Sequence, residues 1–155
     1  MAGYVFKRIV HLNADAVSLI ERHAEMMRAA TPAESCHVLE IDEMIAPDIQ
    51  VYGLESQSGN LLAIGALKTL TPEHGEVKSI HTSSHARQQG VGDALLANLL
   101  KQARVEGFRR LSLETGSDAQ FSAARRLFAR HGFQSCPPFG PYVEDPQSVF
   151  MTVDI

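Results

Sequence analysis

Sulfhydryl chemistry is scarce in this chain. Cys36 and Cys136 are its only cysteines and stand a hundred positions apart, which excludes a disulfide framework and the paired ligand spacing of a metal site. Both read as buried apolar filler in a reduced, cytoplasmic setting. Long runs of like charge are also missing: the formal net charge of −4 is spread along the chain with no run of about five or more like charges, so no nucleic-acid-binding tail is expected. No apolar stretch approaches the length of a membrane span, and Lys7 and Arg8 interrupt the N-terminal MAGYVFKRIVHL before a signal-peptide core can form. Neither a membrane nor a nucleic acid is therefore an expected partner. Internal repeats and low-complexity tracts are absent.

What is present suffices for one core. At 155 residues and 45% hydrophobic content, the chain is expected to form a single domain over 1–155. Tyr4 to Val10 reads as a strand, followed by a helix from near Asn13 or Asp15 whose apolar stripe is Val17, Ile20, Ala24 and Met27 and which ends at Thr31-Pro32. A short helix is expected between Ala33 and Asp48. Gln50–Glu55, Leu61–Leu70 and Glu76–Thr82 read as an antiparallel meander, turning at Ser58-Gly59-Asn60 and at Thr71 to Gly75. Val91 to Glu106 repeats apolar residues at Val91, Leu95, Leu96, Leu99, Leu100 and Ala103, a helix with Gly107 as its stop. A short strand at Leu111–Glu114 precedes a helix with Ala124, Leu127 and Phe128 on it, opened by a Ser117/Gln120 capping box and closed by Gly132. A last strand runs from Ser148 to Val153. The class is α/β (α+β), with a meander followed by alternating strands and helices.

Chemistry concentrates at Arg87-Gln88-Gln89-Gly90-Val91-Gly92, between a predicted strand and the strongest helix. The first N–H groups of a helix lack intrahelical partners, glycine lets a diphosphate approach the backbone, and the helix dipole favours negative charge. Arg87 adds a cation. Gly92 is followed by Asp93-Ala94, so the Gly-Lys-Ser/Thr of a nucleoside triphosphate loop is missing, and a meander upstream argues against a dinucleotide fold.

This turn resembles the R/Q-x-x-G-x-G/A motif of the GNAT acetyltransferases. Glu76-Val77-Lys78-Ser79-Ile80-His81-Thr82 is similar to the family's fourth strand, and Leu127 to Phe133 to its L-Y-x-x-x-G-F ending. The resemblance implies a mixed, mostly antiparallel central sheet of about seven strands flanked by about four helices, with acetyl-CoA as cosubstrate and no metal. It implies that Ile80, His81 and Thr82 offer backbone groups to the pantetheine arm, and that Arg87, Gln88, Gln89, Gly90, Val91 and Gly92 hold the pyrophosphate. The partner would be a small-molecule amine, and a homodimer is compatible with the family.

Acetyl transfer needs a group to take a proton from the amine. Glu76 lies eleven residues before Arg87, the offset at which some family members place a general-base glutamate; its alternative reading is a solvated strand-end carboxylate paired with Lys78. His81 is the second candidate base. Strand periodicity puts Glu76, Lys78, Ile80 and Thr82 on one face and Val77, Ser79 and His81 on the other. Phe128 stands where many family members have a tyrosine that protonates the departing thiolate, so either the thiolate leaves without that acid, or Tyr142 or water replaces it, or the chain is a noncatalytic acyl-CoA binding or sensing module. Phe121 likewise replaces an asparagine. His37, Lys78, Glu114 and Tyr142 are the expected acceptor-binding residues. His81 and His85 stand four positions apart, but the predicted strand-to-loop path between them lacks the helical face that a zinc pair at that spacing uses, so no metal is expected.

Overall fold

A computed structural model describes residues 3–32, 36, 41–87 and 89–155. Seven strands form one sheet in the order β1-β2-β3-β4-β5-β7-β6. The strands are β1 Tyr4–Ile9, β2 Ile49–Ser56, β3 Leu61–Thr71, β4 His74–Thr82, β5 Arg110–Gly116, β6 Gln134–Ser135 and β7 Ser148–Asp154. Every neighbouring pair is antiparallel except β4 and β5. The helices are α1 Ala14–Ala30, α2 Ile41–Met44, α3 Val91–Val105 and α4 Ser122–Arg130. The expected mixed sheet is thus observed. The two-residue β6 completes its seven strands, and β4 starts at His74 because Thr71 already faces His74 across the turn.

Two apolar clusters cover the two faces of the sheet. On one, Leu95, Leu96, Leu99, Leu100 and Ala103 of α3 pack with Leu54, Leu67, Val77, Leu111 and Phe128. Each such buried aliphatic side chain contributes on the order of 1.5–3 kcal/mol. On the other, Leu19 and Ile20 of α1 and Met44 of α2 pack against Val51, Ile64 and Ala66. The buried face of α1 is Ala16, Leu19, Ile20 and Ala24, rotated from the expected stripe, so Val17 and Met27 are only half-buried. Asn13 caps α1 by accepting from the N–H of Ala16 at 2.9 Å.

The Ser117/Gln120 capping box does not form. Ser117 Oγ donates instead to the carbonyl of Pro146 at 2.6 Å, and a 3-10 turn, Ala119–Phe121, leads into α4. The cysteines are half-buried, both free, rather than core filler. Among the described residues, no helix is long and apolar enough to cross a membrane.

Candidate active site

The one parallel pairing in the sheet creates the site. β4 and β5 pair at His74↔Arg110, Gly75↔Leu111 and Glu76↔Ser112, and there pairing stops. β4 runs on to Thr82 while β5 stays paired with β7. From Val77 onward the β5-side edge of β4 is left to other partners, and buried backbone N–H and C=O groups need them. The opening widens into a cleft of about 840 Å³ lined by β4, β5, α1 and the N-termini of α3 and α4.

A bulge rearranges β4 within this opening. Ile64 faces His81 and Ala66 faces Lys78, so Gly65 alone opposes both Ser79 and Ile80, the count that defines a bulge. Ser79 has φ 58, a left-handed conformation that costs a non-glycine residue about 1–2 kcal/mol. The extra residue reverses the alternation beyond it. Val77, Ile80 and Thr82 lie towards α3, while Lys78 and His81 lie towards α1, as their partners Ala66 and Ile64 in the α1-side cluster require, and Glu76, opposite Lys68, shares the face of Lys78. Glu76 and His81 therefore share a face, contrary to the strict period-two expectation.

At the far end of the cleft, α3 begins at Gly90, whose φ of 76 suits glycine. The first helical backbone bond runs from the N–H of Ala94 to the carbonyl of Gly90, which leaves the N–H groups of Val91, Gly92 and Asp93 without helical partners. At Gly92 an added Cβ would come within 3.4 Å of Leu127 Cδ2. The turn is pinned from outside by Tyr4, whose hydroxyl donates to the carbonyl of Gln89 at 3.1 Å. Arg87 is exposed and reaches back to the carbonyl of Thr82 at 3.4 Å. An open strand edge leading to a helix N-terminus with free N–H groups fits a pantetheine arm followed by a diphosphate. Gln88 lies outside the described residues.

At the near end, Glu76 is 2% exposed and far from the solvated strand-end carboxylate of the alternative reading. Tyr142 Oη donates to Glu76 Oε2 at 2.5 Å, Lys78 Nζ donates to the same oxygen at 3.2 Å, and Lys78 Nζ donates to Tyr142 Oη at 2.7 Å. Pairing of this kind offsets the cost of burying the carboxylate and the ammonium. Burial first, then the Glu76 carboxylate, pushes the Tyr142 phenol well above its ordinary range, so it stays protonated. Its ring is held by Phe139 at 5.1 Å and Phe150 at 5.6 Å between centroids. Glu114 is half-buried on the same cleft wall. His37 lies outside the described residues.

His81 sits between these ends, 5% exposed, its ring 5.1 Å from that of His23 on α1. Its Nε2 is buried without a hydrogen-bond partner. Burial, then Arg87 and Arg22, lowers its imidazole to about 4; burial and His81 lower His23 to about 4 as well. Both rings are neutral at pH 7. His23, Met26, Met27 and Ala30 of α1 line the cleft, a contribution that no local motif in the sequence signals. Phe128 packs into the core with its ring 5.9 Å from Phe133. Among the described residues, no group of three or more His, Cys, Asp or Glu side chains is placed to hold a metal.

Known proteins resemble this chain in sequence and in fold. Residues 9–133 match the model of the acetyltransferase (GNAT) family. The chain is 43% identical over 136 residues to the uncharacterised N-acetyltransferase YsnE of Bacillus subtilis, covering 88% of this chain and 89% of that one. It is 36% identical over 153 residues to an IAA acetyltransferase of Azospirillum brasilense, covering 97% of each. A Klebsiella pneumoniae structure described as an acyl-CoA N-acyltransferase superposes with a TM-score of 0.78 at 28% identity, over 97% of both chains. A GNAT family acetyltransferase of Elizabethkingia anophelis with acetyl-CoA bound has a TM-score of 0.73 at 15% identity over 98% of both, a likeness of fold. With the splayed strands and open helix N-terminus already in place, these matches show that the chain belongs to the GNAT family and is an acetyl-CoA-dependent N-acetyltransferase.

Proposed function

We propose that the chain, acting as a single domain, moves the acetyl group of acetyl-CoA onto a primary amine of a small molecule by direct attack on the thioester, with Glu76 as the general base. The observation that carries this reading is the buried Glu76 carboxylate, held by Tyr142 and Lys78 at the point where β4 and β5 part. The backbone of Ile80, His81 and Thr82 would hold the pantetheine arm, and the Arg87–Gly92 turn the pyrophosphate.

Acetyl-CoA supplies the thioester carbonyl and a thiolate leaving group. Glu76 takes one proton from the acceptor ammonium, freeing the nitrogen lone pair. The nitrogen bonds to the carbonyl carbon as the carbon–sulfur bond breaks. The second nitrogen proton ends on the sulfur by way of water, and Glu76 returns its own to solvent. Tyr142 Oη donates a hydrogen bond to Glu76 and keeps its proton, which suits a group that orients the base rather than the acid for the thiolate. His81 is the weaker candidate: its buried Nε2 and lowered basicity suit a neutral wall of the cleft.

Calorimetric titration with acetyl-CoA, followed by rates across a panel of primary amines, tests this reading. Tight binding is expected for the wild type, and Glu76→Gln should bind as tightly while turning over far more slowly. Unchanged turnover in Glu76→Gln would remove Glu76 as the base.

A further inference from the structure

Both hydrogen bonds to the Glu76 carboxylate, from Tyr142 Oη and from Lys78 Nζ, fall on Oε2. No described residue bonds Oε1. An ammonium has three N–H donors, and Lys78 Nζ directs one to Tyr142 Oη and one to Glu76 Oε2, which leaves a third. One open anionic oxygen and one open cationic N–H thus stand side by side on the cleft wall, on groups whose charged atoms are 3.2 Å apart.

That pair is the electrostatic complement of a molecule whose own ammonium and carboxylate are separated by a single carbon. The ammonium would meet Glu76 Oε1, where the proposed proton transfer occurs, and the carboxylate would meet the third Lys78 N–H. Moving the amine to the far end of a chain separates the two charges by more than the site spans. A diamine fares worse, since its second ammonium would face Lys78, and like charges brought together cost binding.

We propose that the acceptor is an α-amino acid, or a molecule ending in the same 2-amino carboxylate unit, and that Lys78 reads its carboxylate. The inference rests on the Glu76-centred reading above and narrows it to one class of amine.

The test measures kcat/KM with acetyl-CoA for the standard L-amino acids, for the amines left when each loses its carboxylate, and for straight-chain ω-amino acids. For its best acceptor, the wild type should prefer the amino acid to the matching amine by roughly 30-fold or more. In Lys78→Met, which keeps the length of the side chain, both rates fall through the loosened Tyr142, but the ratio between them should drop towards one. Because the ratio is internal to each protein, it separates carboxylate recognition from any general loss of activity. The wild-type preference is read without a variant, so a misfolded Lys78→Met leaves the proposal testable. Equal use of amines and amino acids by the wild type, or an undiminished ratio in a folded Lys78→Met, overturns the proposal and leaves the N-acetyltransferase reading standing. Transfer to no member of the panel by a protein that binds acetyl-CoA overturns the amino-acid proposal and the small-amine reading together.

Discussion

The two ends of the cleft are built in opposite ways. The α3 end is a local construction in which backbone N–H groups of three consecutive residues, Val91 to Asp93, are freed by the start of one helix. The β4 end is a non-local one: Glu76 and Lys78 lie two positions apart on one strand, but their common partner Tyr142 arrives from a loop 64 and 66 positions away. A site made of backbone tolerates side-chain change, and damage to it should appear as lost affinity. A site made of converging side chains is broken by one atom, and its damage should appear in the chemical step.

Glu76→Gln is the severest test of that contrast. Removing the proposed base is expected to lower kcat by roughly a thousandfold, about 4 kcal/mol, with the affinity for acetyl-CoA unchanged by calorimetry. Loss of binding in this variant would mean that the two ends are not separable.

His81 sharpens the comparison because it lies between the ends and is the rival base. In the folded chain its imidazole and that of His23 are lowered to about 4 from an ordinary 6.5, with Arg22 and Arg87 facing His81. Above pH 6.5 both folded and unfolded states leave these rings neutral, and they contribute no pH dependence. As pH falls from 6.5 to about 4 the unfolded chain takes up protons that the folded chain refuses, so stability falls, by about 3 kcal/mol for a buried ring shifted this far. Denaturant unfolding at a series of pH values should show a flatter dependence in His81→Phe than in the wild type. The same slope in both would mean that His81 titrates normally and is open enough to serve as the base.

Gly90→Val addresses the α3 end. At φ 76 a branched side chain costs about 1–2 kcal/mol, and the turn can relieve it only by moving the N–H groups that it presents. Affinity for acetyl-CoA should fall roughly tenfold, while kcat at saturating acetyl-CoA stays close to that of the wild type. A fall in kcat with unchanged affinity would reverse the assignment of the two ends.

The same contrast explains what was legible in the sequence. The α3 repeat, the meander and the Arg87–Gly92 turn are periodic or local signals, and the structure reproduces them with small shifts in their boundaries. The faces of β4 depart from strict alternation because one residue, Ser79, bulges out of register, and nothing in its side chain announces a positive φ. The buried face of α1 is rotated from the stripe of Val17, Ile20, Ala24 and Met27, since Ala16 and Leu19 are selected by the sheet beneath them rather than by the helix itself. Ser117 looked like a helix cap but bonds Pro146, 29 positions on. Tyr142 could be named as a candidate, yet its contact with Glu76 depends on the packing of Phe139 and Phe150 around its ring, which only the assembled fold reveals.

An effect no larger than that of Gly90→Val is the most informative about mechanism. Tyr142→Phe keeps the ring that Phe139 and Phe150 hold and removes only the hydroxyl, so the fold should survive. The loss of the hydrogen bond donated to Glu76, together with the one accepted from Lys78, should slow turnover by roughly tenfold, about 1.4 kcal/mol. Its meaning depends on the Glu76 background. If Tyr142 acts by orienting the base, the hydroxyl has nothing to orient in Glu76→Gln, and the double variant should be about as slow as Glu76→Gln alone. If Tyr142 instead gives its proton to the departing sulfur, the two losses belong to different bonds and should multiply. Steady-state rates for the wild type, the two single variants and the double variant therefore distinguish a phenol that serves the carboxylate from one that serves the thiolate.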